Sequence, residues 1–432
     1  MAMDADLLAN LKSSNSDAFT VFEFDIGGTT LGYAPAWAAL SNQMYEGRVL
    51  AAGSISREIS DSGFSLGRDS ASVTLEDVDR SLEAAIFAAG IQNITGTAAR
   101  VKIVSPSLAS SKWFTLYEGI IEDFSVPAIA QWQFQLRRND YPLLGKVKIP
   151  YIQSYDWPNA HEDVLSAATP GQVVYGAHLS TGTEATGMVP TIYVDTASYQ
   201  YYVSMGPLAS VEAVYVDGVE SASSNWTYEL VRKNSVRYSV IQFTSEQNGG
   251  EAVVTVDCTG VFSGTTNPAT QLEHFLANMV FGAWRGGELT VSNFPIDESY
   301  FDEAEAFLAD KQLRGGRVIT SEATGIGVLQ EWCQQFQIPA FWTYGGDIAI
   351  RPDDHTETDI YNPDVFFRQD ESPEPDFLEV AYNAREIRSE VRTQYLYDHA
   401  GGQFQRQLTV VNPNAPVDSP ASLDLQWRES VL

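Results

Sequence analysis

Residues 25–30 carry the pattern that comes nearest to enzymatic chemistry in this chain. The sequence there is Asp25-Ile26-Gly27-Gly28-Thr29-Thr30, and it follows the apolar stretch Val21-Phe22-Glu23-Phe24. A strand that delivers an aspartate and glycine N–H groups to a tight turn can hold the phosphates of ATP. The same letters also suit a Gly-rich hairpin between two β-strands, which has no such chemistry.

This turn resembles the first phosphate-binding turn of sugar kinases of the actin-like ATPase superfamily. The resemblance implies a following strand with a polar ATP-contacting residue and, later, a second Asp-Gly-Thr-like turn. Here Leu31-Gly32-Tyr33 leads into sequence that is rich in Ala and Trp. We therefore favour the hairpin and keep a sugar-kinase-like ATP-binding protein as the least favoured alternative.

Residues 63–67, Gly63-Phe64-Ser65-Leu66-Gly67, match the letters of the Gly-x-Ser-x-Gly nucleophile elbow. That elbow needs an apolar strand before the serine and a helix directly after it. Polar Ser60-Asp61-Ser62 precedes the motif and Arg68-Asp69-Ser70 follows it. We therefore expect an ordinary Gly-bounded strand. The phosphate-binding Walker A pattern is absent from the sequence.

The acidic and histidine residues predict neither an acid–base pair nor a metal site. The adjacent pairs Glu122-Asp123, Glu162-Asp163 and Asp353-Asp354 would point to opposite faces of a strand. The five histidines, His161, His178, His274, His355 and His399, show no HxxxH spacing, and only Asp353-Asp354-His355 could weakly bind a cation. The sequence therefore predicts no catalytic residue, no cofactor, no metal and no enzymatic activity.

The composition is that of a large acidic chain. A length of 432 residues with 44% hydrophobic residues predicts two to four domains. The formal net charge of −30 argues against specific nucleic-acid binding and against an anionic membrane surface. Cys258 and Cys333 lie in apolar surroundings, so we expect buried thiols rather than a disulfide or a zinc site.

The N-terminal sequence lacks the features of a secretory signal. Met1-Ala2-Met3-Asp4-Ala5-Asp6 has neither the basic start nor the apolar run of such a signal. No window approaches the roughly 20 apolar residues that a membrane span needs. We expect synthesis in the cytoplasm and no stable membrane insertion.

Strand and helix patterns predict a mainly β fold with a smaller α+β module and several β-barrel- or sandwich-like domains. The predicted parts are an N-terminal arm (1–16), a β-barrel or sandwich domain with one helix (17–140), an ordered connector (141–190), a second β domain (191–262), a helical α+β module (263–362) and C-terminal strands that return to the main body (363–432).

Four segments change from strand to helix periodicity. In the first, Thr74-x-x-Asp77 is expected to cap a helix whose apolar face contains Val78, Leu82, Ala85, Ile86 and Ala89. In the second, Asn267 caps a helix that begins at Pro268 and runs to residue 281. The other two helices are predicted over residues 298–310 and 325–336, and a hairpin over 341–350 turns at Gly345-Gly346.

Five stretches resemble the hub and tail-tip proteins of tailed bacteriophages. They are Tyr45-Glu46-Gly47-Arg48-Val49-Leu50 leading to residues 55–59, residues 113–136 closing in Leu144-Gly145, residues 187–218, residues 267–276 and residues 388–408. The similarity spans most of the chain, and it consists of glycine, proline and aromatic spacing without a catalytic signature.

The resemblance implies a structural protein that closes the distal end of the tail tube as a ring, commonly a trimer. The implied location is the virion tail tip, after synthesis in the cytoplasm of the bacterial host. The implied partners are further copies of this chain in a cyclic homo-oligomer, together with distal tail, tape measure, tail fibre or receptor-binding proteins. The sequence stops soon after Asp424-Leu425-Gln426-Trp427, so we expect other chains to recognise the host and cleave its wall.

Aromatic residues at exposed-looking strand positions support an assembly role. Tyr199, Tyr201 and Tyr202 are of the type enriched in protein interfaces. Two alternatives stay open: another virion or secreted-machine structural protein, and a carbohydrate-binding or glycan-processing β-protein, which nine Trp and twenty Tyr would also suit. A glycan protein should bring Trp and carboxylates together in one cleft, whereas an assembly protein should scatter them.

Overall fold

The fold is given by a computed structural model. It describes residues 3–13, 16–40, 43–56, 66, 69–90, 94–180, 188–261, 266–282, 295–343, 345–352, 390–398, 403–411 and 423–426. The chain is mainly β with a smaller helical part, as the sequence predicts. Within the described residues the sheets have open strand orders, and none closes into a barrel.

The strands are β1 Phe19–Ile26, β2 Thr29–Ala34, β3 Ala38–Leu40, β4 Gln43–Gly47, β5 Val49–Ala52, β6 Ser70–Glu76, β7 Ala98–Val104, β8 Phe114–Ala128, β9 Gln131–Arg137, β10 Gln172–Tyr175, β11 Ala177–His178, β12 Val189–Pro190, β13 Ile192–Asp195, β14 Gln200–Met205, β15 Ser210–Val216, β16 Val219–Glu220, β17 Trp226–Lys233, β18 Val236–Phe243, β19 Val254–Thr259, β20 Arg317–Thr320, β21 Ala340–Trp342, β22 Ile348–Ile350, β23 Glu390–Asp398, β24 Gln403–Val411 and β25 Leu423–Gln426. The helices are α1 Ala5–Lys12, α2 Ser81–Ala89, α3 Tyr141–Leu144, α4 Glu162–Ser166, α5 Pro268–Phe275, α6 Glu298–Asp310 and α7 Gly325–Phe336.

Nine strands form the N-terminal sheet, in the order β3-β4-β2-β1-β7-β8-β9-β6-β5. All neighbours are antiparallel except β2 and β4. One face packs against α2, where Phe24, Tyr117 and Phe134 of the sheet are buried in one core with Leu82 and Ile86 of the helix. Strands β4 and β5 lie near opposite ends of this order, yet only Arg48 separates them in the chain. The sheet must therefore roll until its two flanks approach each other at Arg48.

Two smaller sheets pack face to face. One has the order β11-β19-β15-β16, with β12 also paired to β19, and the other has the order β13-β14-β18-β17. Val214 and Val256 of the first sheet share a core with Tyr201 and Ile241 of the second. The other three described sheets are β10-β20, β21-β22 and β24-β23-β25.

A larger core joins the connector (residues 141–190), the sheet β13-β14-β18-β17 and helices α5, α6 and α7. It contains Trp157 and Val173 of the connector, Tyr202 of β14, Leu276 and Trp332. Strand β10 of the connector pairs with β20, which lies between α6 and α7 in the sequence. Since these segments bury their apolar side chains together, they depend on one another for stability.

Helices α6 and α7 have the predicted bounds, and α5 begins at Pro268 as predicted. The Asn267 carboxamide accepts a hydrogen bond from the N–H of Ala269 at 3.0 Å, which confirms the cap. The predicted α-helix does not run unchanged to residue 281, because Leu276–Phe281 is a π-helix. The Lys148 ammonium group ends it by donating to the carbonyl oxygen atoms of Phe281 at 3.2 Å and Gly282 at 2.7 Å.

Two predictions about exposure were wrong. Helix α2 begins at Ser81, and Val78 is 72% exposed rather than part of an apolar face. Tyr201 and Tyr202 are buried, and Tyr199 is half-buried. The reason is that β14 is buried on both faces, so Tyr201 and Tyr202 enter different cores.

Leu276 tests the larger core, because it is fully buried where α5 meets the π-helix. We expect Leu276→Ala to lower the free energy of unfolding by about 2 to 5 kcal/mol through lost apolar contact and a cavity. Leu50→Ala is the matched control at an exposed position, with an expected loss below about 1 kcal/mol. Urea denaturation measures both. Equal losses would show that this helix face is not core.

Candidate functional site

The turn at residues 25–30 is a β-hairpin turn, as the sequence predicts. Strand β1 ends at Ile26 and β2 begins at Thr29, while Gly27 and Gly28 take φ values of 62° and 79°. The Asp25 carboxylate accepts a hydrogen bond from the Thr30 hydroxyl at 2.6 Å and pairs with Arg100 at 3.0 Å. Burial raises the pKa of Asp25, but these two partners outweigh it and the net shift is downward. A strand follows the turn, as both the hairpin and the sugar-kinase comparison imply, but the Asp25 carboxylate is already engaged by Thr30 and Arg100.

The other motif candidates give no assembled site. Ser65 and the sequence Asp353-Asp354-His355 lie outside the described residues. Glu162 and Asp163 belong to α4 rather than a strand, and Asp163 lies 3.4 Å from His161. No group of three or more His, Cys, Asp or Glu side chains among the described residues could hold a metal ion.

Both cysteines are buried free thiols, as predicted. Burial raises the pKa of the Cys258 thiol and of the Cys333 thiol. Raised pKa values keep both sulfur atoms protonated and poorly nucleophilic.

The Arg48 side chain, between β4 and β5, is engaged by several acidic groups. It is 9% exposed, and its guanidinium group makes two hydrogen bonds of 2.8 Å to Asp79 and lies 3.2 Å from Asp77. It also donates to the Ser81 hydroxyl at 2.7 Å and pairs with Glu46. These contacts draw the segment before α2 onto the junction of β4 and β5.

The backbone of Arg48 makes the same connection. Its N–H donates to the carbonyl oxygen of Ala34 in β2, and its carbonyl oxygen accepts from the N–H of Glu76 in β6. Asp77 in turn accepts from the N–H groups of Leu82 at 2.9 Å and Glu83 at 2.7 Å. Asp77 therefore caps α2 from a distance, which explains why the helix begins later than its sequence position suggested.

A second buried arginine connects the N-terminal sheet to the hairpin of β21 and β22. The Arg138 guanidinium group donates to the carbonyl oxygen atoms of Glu118 at 2.5 Å and Thr343 at 2.8 Å, and it pairs with Asp69 at 3.3 Å. Its central carbon lies 4.6 Å from the ring centre of Tyr117. This contact fixes the position of the hairpin relative to the sheet.

A cleft of about 570 Å³ lies beside Arg138. Its other arginine, Arg137, lies 3.2 Å from Asp140 and 3.6 Å from Glu122. The cleft therefore holds two positive charges, on Arg137 and Arg138, and three negative charges, on Asp69, Glu122 and Asp140. Since each arginine already pairs with a carboxylate, the described residues of the cleft offer no unpaired positive charge to a bound anion.

The described tryptophan side chains do not gather into a sugar-binding platform. Within the part of the chain that the structure describes, Trp132, Trp157, Trp332 and Trp342 are buried in cores and Trp37 is exposed. Trp342 lines the cleft, but the carboxylates there are engaged by arginine. Trp113 and Trp226 are half-buried, so the described tryptophans are scattered over the fold.

Glu273 and His274, neighbours on α5, both have perturbed pKa values. Burial raises the pKa of Glu273 to about 7, and Glu298, Asp302 and Glu305 of α6 add to that shift. Burial lowers the pKa of His274 to about 4, and its Nδ1 atom lies 2.9 Å from the Tyr175 hydroxyl. Both groups are therefore neutral over part of the range between pH 4 and 7.

The hairpin of β8 and β9 ends in an exposed apolar tip, which the sequence analysis did not single out. Residues 125–129, hereafter the hairpin tip, are all exposed, and Ile129 is 94% exposed. The strand register shifts between Ser125 and Ala128, so Val126 and Pro127 form a bulge. The N–H of Asp77 donates to the carbonyl oxygen of Ala130, which places exposed Val78 beside the tip. The apolar run 126–130 was the available sequence signal.

None of the described helices is long and apolar enough to cross a membrane.

No protein-family model and no curated protein sequence matches the chain. A component of the virion of a native gene transfer agent particle is similar in structure at 13% identity, with a TM-score of 0.26, covering 59% of this chain and 84% of that chain. The 43 kDa tail protein of prophage MuSo2 from Shewanella oneidensis is similar at 9% identity, with a TM-score of 0.32, covering 95% of this chain and 72% of that chain. Similarity at this level establishes neither a family nor a function for this chain.

Replacing Arg48 tests the junction of β4 and β5. Arg48→Met leaves the buried Asp77 carboxylate without its cation, so we expect a loss of about 3 kcal/mol in the free energy of unfolding at pH 7. Arg80→Met is the matched control, because Arg80 is exposed and lies 3.8 Å from Glu83, with an expected loss below about 0.5 kcal/mol. Urea denaturation compares the two. Similar losses would contradict the role given to Arg48.

Glu273→Gln tests the acidic contact between α5 and α6. Because folding raises the pKa of Glu273 from 4.5 to about 7, its contribution to stability is complete below pH 4.5 and is lost as pH rises through 7. After allowance for solvent screening, we expect Glu273→Gln to stabilise the protein by about 1 to 2 kcal/mol at pH 8. The exposed Glu303→Gln is the control. An unfolding series from pH 5 to 8 without a difference between the variants would refute this.

Proposed function

We propose that the chain is a structural component of a bacteriophage tail. In this proposal it is a baseplate hub or tail-tip protein that closes the distal end of the tail tube and connects it to other tail-tip or receptor-binding proteins. It acts as a cyclic homo-oligomer, a trimer in the simplest case, and has no catalytic residue, cofactor or metal. The part of the proposal that names a phage tail is supported by the sequence resemblance over residues 45–59, 113–145, 187–218, 267–276 and 388–408.

The observation that supports an assembly role is the exposed hairpin tip. A hairpin that exposes Val126 and Ile129 together gives a lone soluble chain no stability, because apolar area is stabilising only when it leaves water. Val78 enlarges the same apolar surface. A partner that covers this surface would supply the missing burial.

The mutual engagement of charges supports a structural role for the interior. Arg48, Arg100 and Arg138 each face carboxylates within the N-terminal sheet. A catalytic acid or base instead needs a group poised to exchange a proton with a substrate.

As a working division, we retain the six parts 1–16, 17–140, 141–190, 191–262, 263–362 and 363–432.

Electron microscopy of purified phage particles labelled with gold-conjugated antibody tests this function. We expect the label at the distal end of the tail, since a hub closes the tube there. Antibody against a major tail-tube protein is the control and should label the whole length. Label along the tube, or absence of the chain from purified particles, would contradict the proposal.

A further inference from the structure

The hairpin of β17 and β18 carries an exposed basic end in an otherwise acidic chain. Arg232 of β17 and Arg237 of β18 are directly opposite in the strand register, and both are exposed. Like charges in directly opposed positions destabilise an antiparallel pair. Among the described residues, neither guanidinium group lies within salt-bridge distance of a carboxylate. The pair therefore favours an acidic partner.

The same end of the hairpin offers an apolar group and an unpaired edge. Leu230 is exposed two residues before Arg232 in β17, so the two side chains lie on the same face of the strand. Strand β17 is the last in its sheet and pairs only with β18. Its outer backbone groups are thus accessible to another polypeptide. We call Leu230, Arg232 and Arg237 the basic end.

The hairpin tip of β8 and β9 has the complementary character. Exposed Glu76 pairs in register with Gln131 directly behind the tip, and exposed Asp123 lies at its base. Asp79 is also exposed beside Val78, but Arg48 already donates to both of its carboxylate oxygen atoms, so the acidic rim consists of Glu76 and Asp123. The neighbouring exposed cation, Arg80, faces Glu83. An apolar centre with an acidic rim repels anionic lipid and nucleic acid and attracts a basic protein surface.

We propose that the hairpin tip of one copy docks on the basic end of a second copy of this chain. Ile129 then packs against Leu230, while Glu76 and Asp123 approach Arg232 and Arg237. The two surfaces differ, so the contact is heterologous, and its repetition by a closed rotation generates a ring. The ring itself rests on the proposed function. The contact also relieves the repulsion between the two arginines, which gives it electrostatic specificity despite a net charge of −30 per chain.

Disulfide trapping with the full-length chain tests this contact. Ile129→Cys is combined with Leu230→Cys, and the natural Cys258 and Cys333 do not interfere because both are buried. Mild oxidation should give covalently linked oligomers of the double variant, whereas a mixture of the two single variants should stop at dimers. The control pairs Ile129→Cys with Val219→Cys, at another exposed position. We expect the control to cross-link about tenfold more slowly, because it lacks the electrostatic guidance.

Charge reversal separates this contact from random collision. Arg232→Glu with Arg237→Glu should slow the trapping, and adding Glu76→Arg with Asp123→Arg should restore it. Circular dichroism and a urea midpoint check that each variant is folded. Equal trapping in the control pair, insensitivity to charge reversal, or a link from Ile129→Cys to a different tail protein in purified particles would overturn the proposal. A failure of trapping with gold label still at the tail tip removes this contact alone, whereas trapping without the chain in particles removes the tail assignment alone.

Discussion

The geometry of the N-terminal sheet depends on the passage of the chain through Arg48. Strands β4 and β5 belong to opposite flanks of a nine-stranded sheet, but a single residue connects them. Consecutive Cα atoms are about 3.8 Å apart, so the flanks have to meet there. Arg48 stabilises this meeting with its backbone, which bonds to β2 and β6, and with its side chain, which gathers Glu46, Asp77 and Asp79. The start of α2 and the enclosed core follow from the same arrangement.

Charge is unevenly distributed over the molecule. Several cations of the N-terminal sheet lie in internal pairs, for example Arg100 with Asp25 at 3.0 Å and Lys102 with Glu23 at 2.8 Å. This use of cations leaves much of the surface acidic, which opposes association between copies. Exposed basic residues such as Arg232 and Arg237 then have a large effect on which surfaces can meet, because electrostatic complementarity selects among possible contacts.

Local patterns in the sequence predict the helices well. Helices α6 and α7 have the expected bounds because their apolar residues recur at helical spacing, and Asn267 and Pro268 specify where α5 starts. The hairpin at Asp25 was also predictable, since two glycines suit positive φ values. These features depend on residues that are close together in sequence.

Features that depend on distant residues could not be predicted in this way. The burial of Tyr201 and Tyr202 depends on two cores that lie on opposite faces of β14. The roles of Arg48 and Arg138 depend on pairings across the fold, and Asp77 caps α2 without belonging to its first turn. The apolar run 126–130 is visible in the sequence, but its exposure at a hairpin tip follows only from how far β8 and β9 extend.

The most direct measurement is a cryo-electron microscopy reconstruction of the intact particle that resolves individual chains. We expect a closed ring of copies of this chain at the distal end of the tail tube, with three-fold symmetry. A six-fold ring would retain the hub role and reject the trimer. A single copy, or a helical array along the whole tube, would contradict the central claim that this chain is a tail-tip assembly protein.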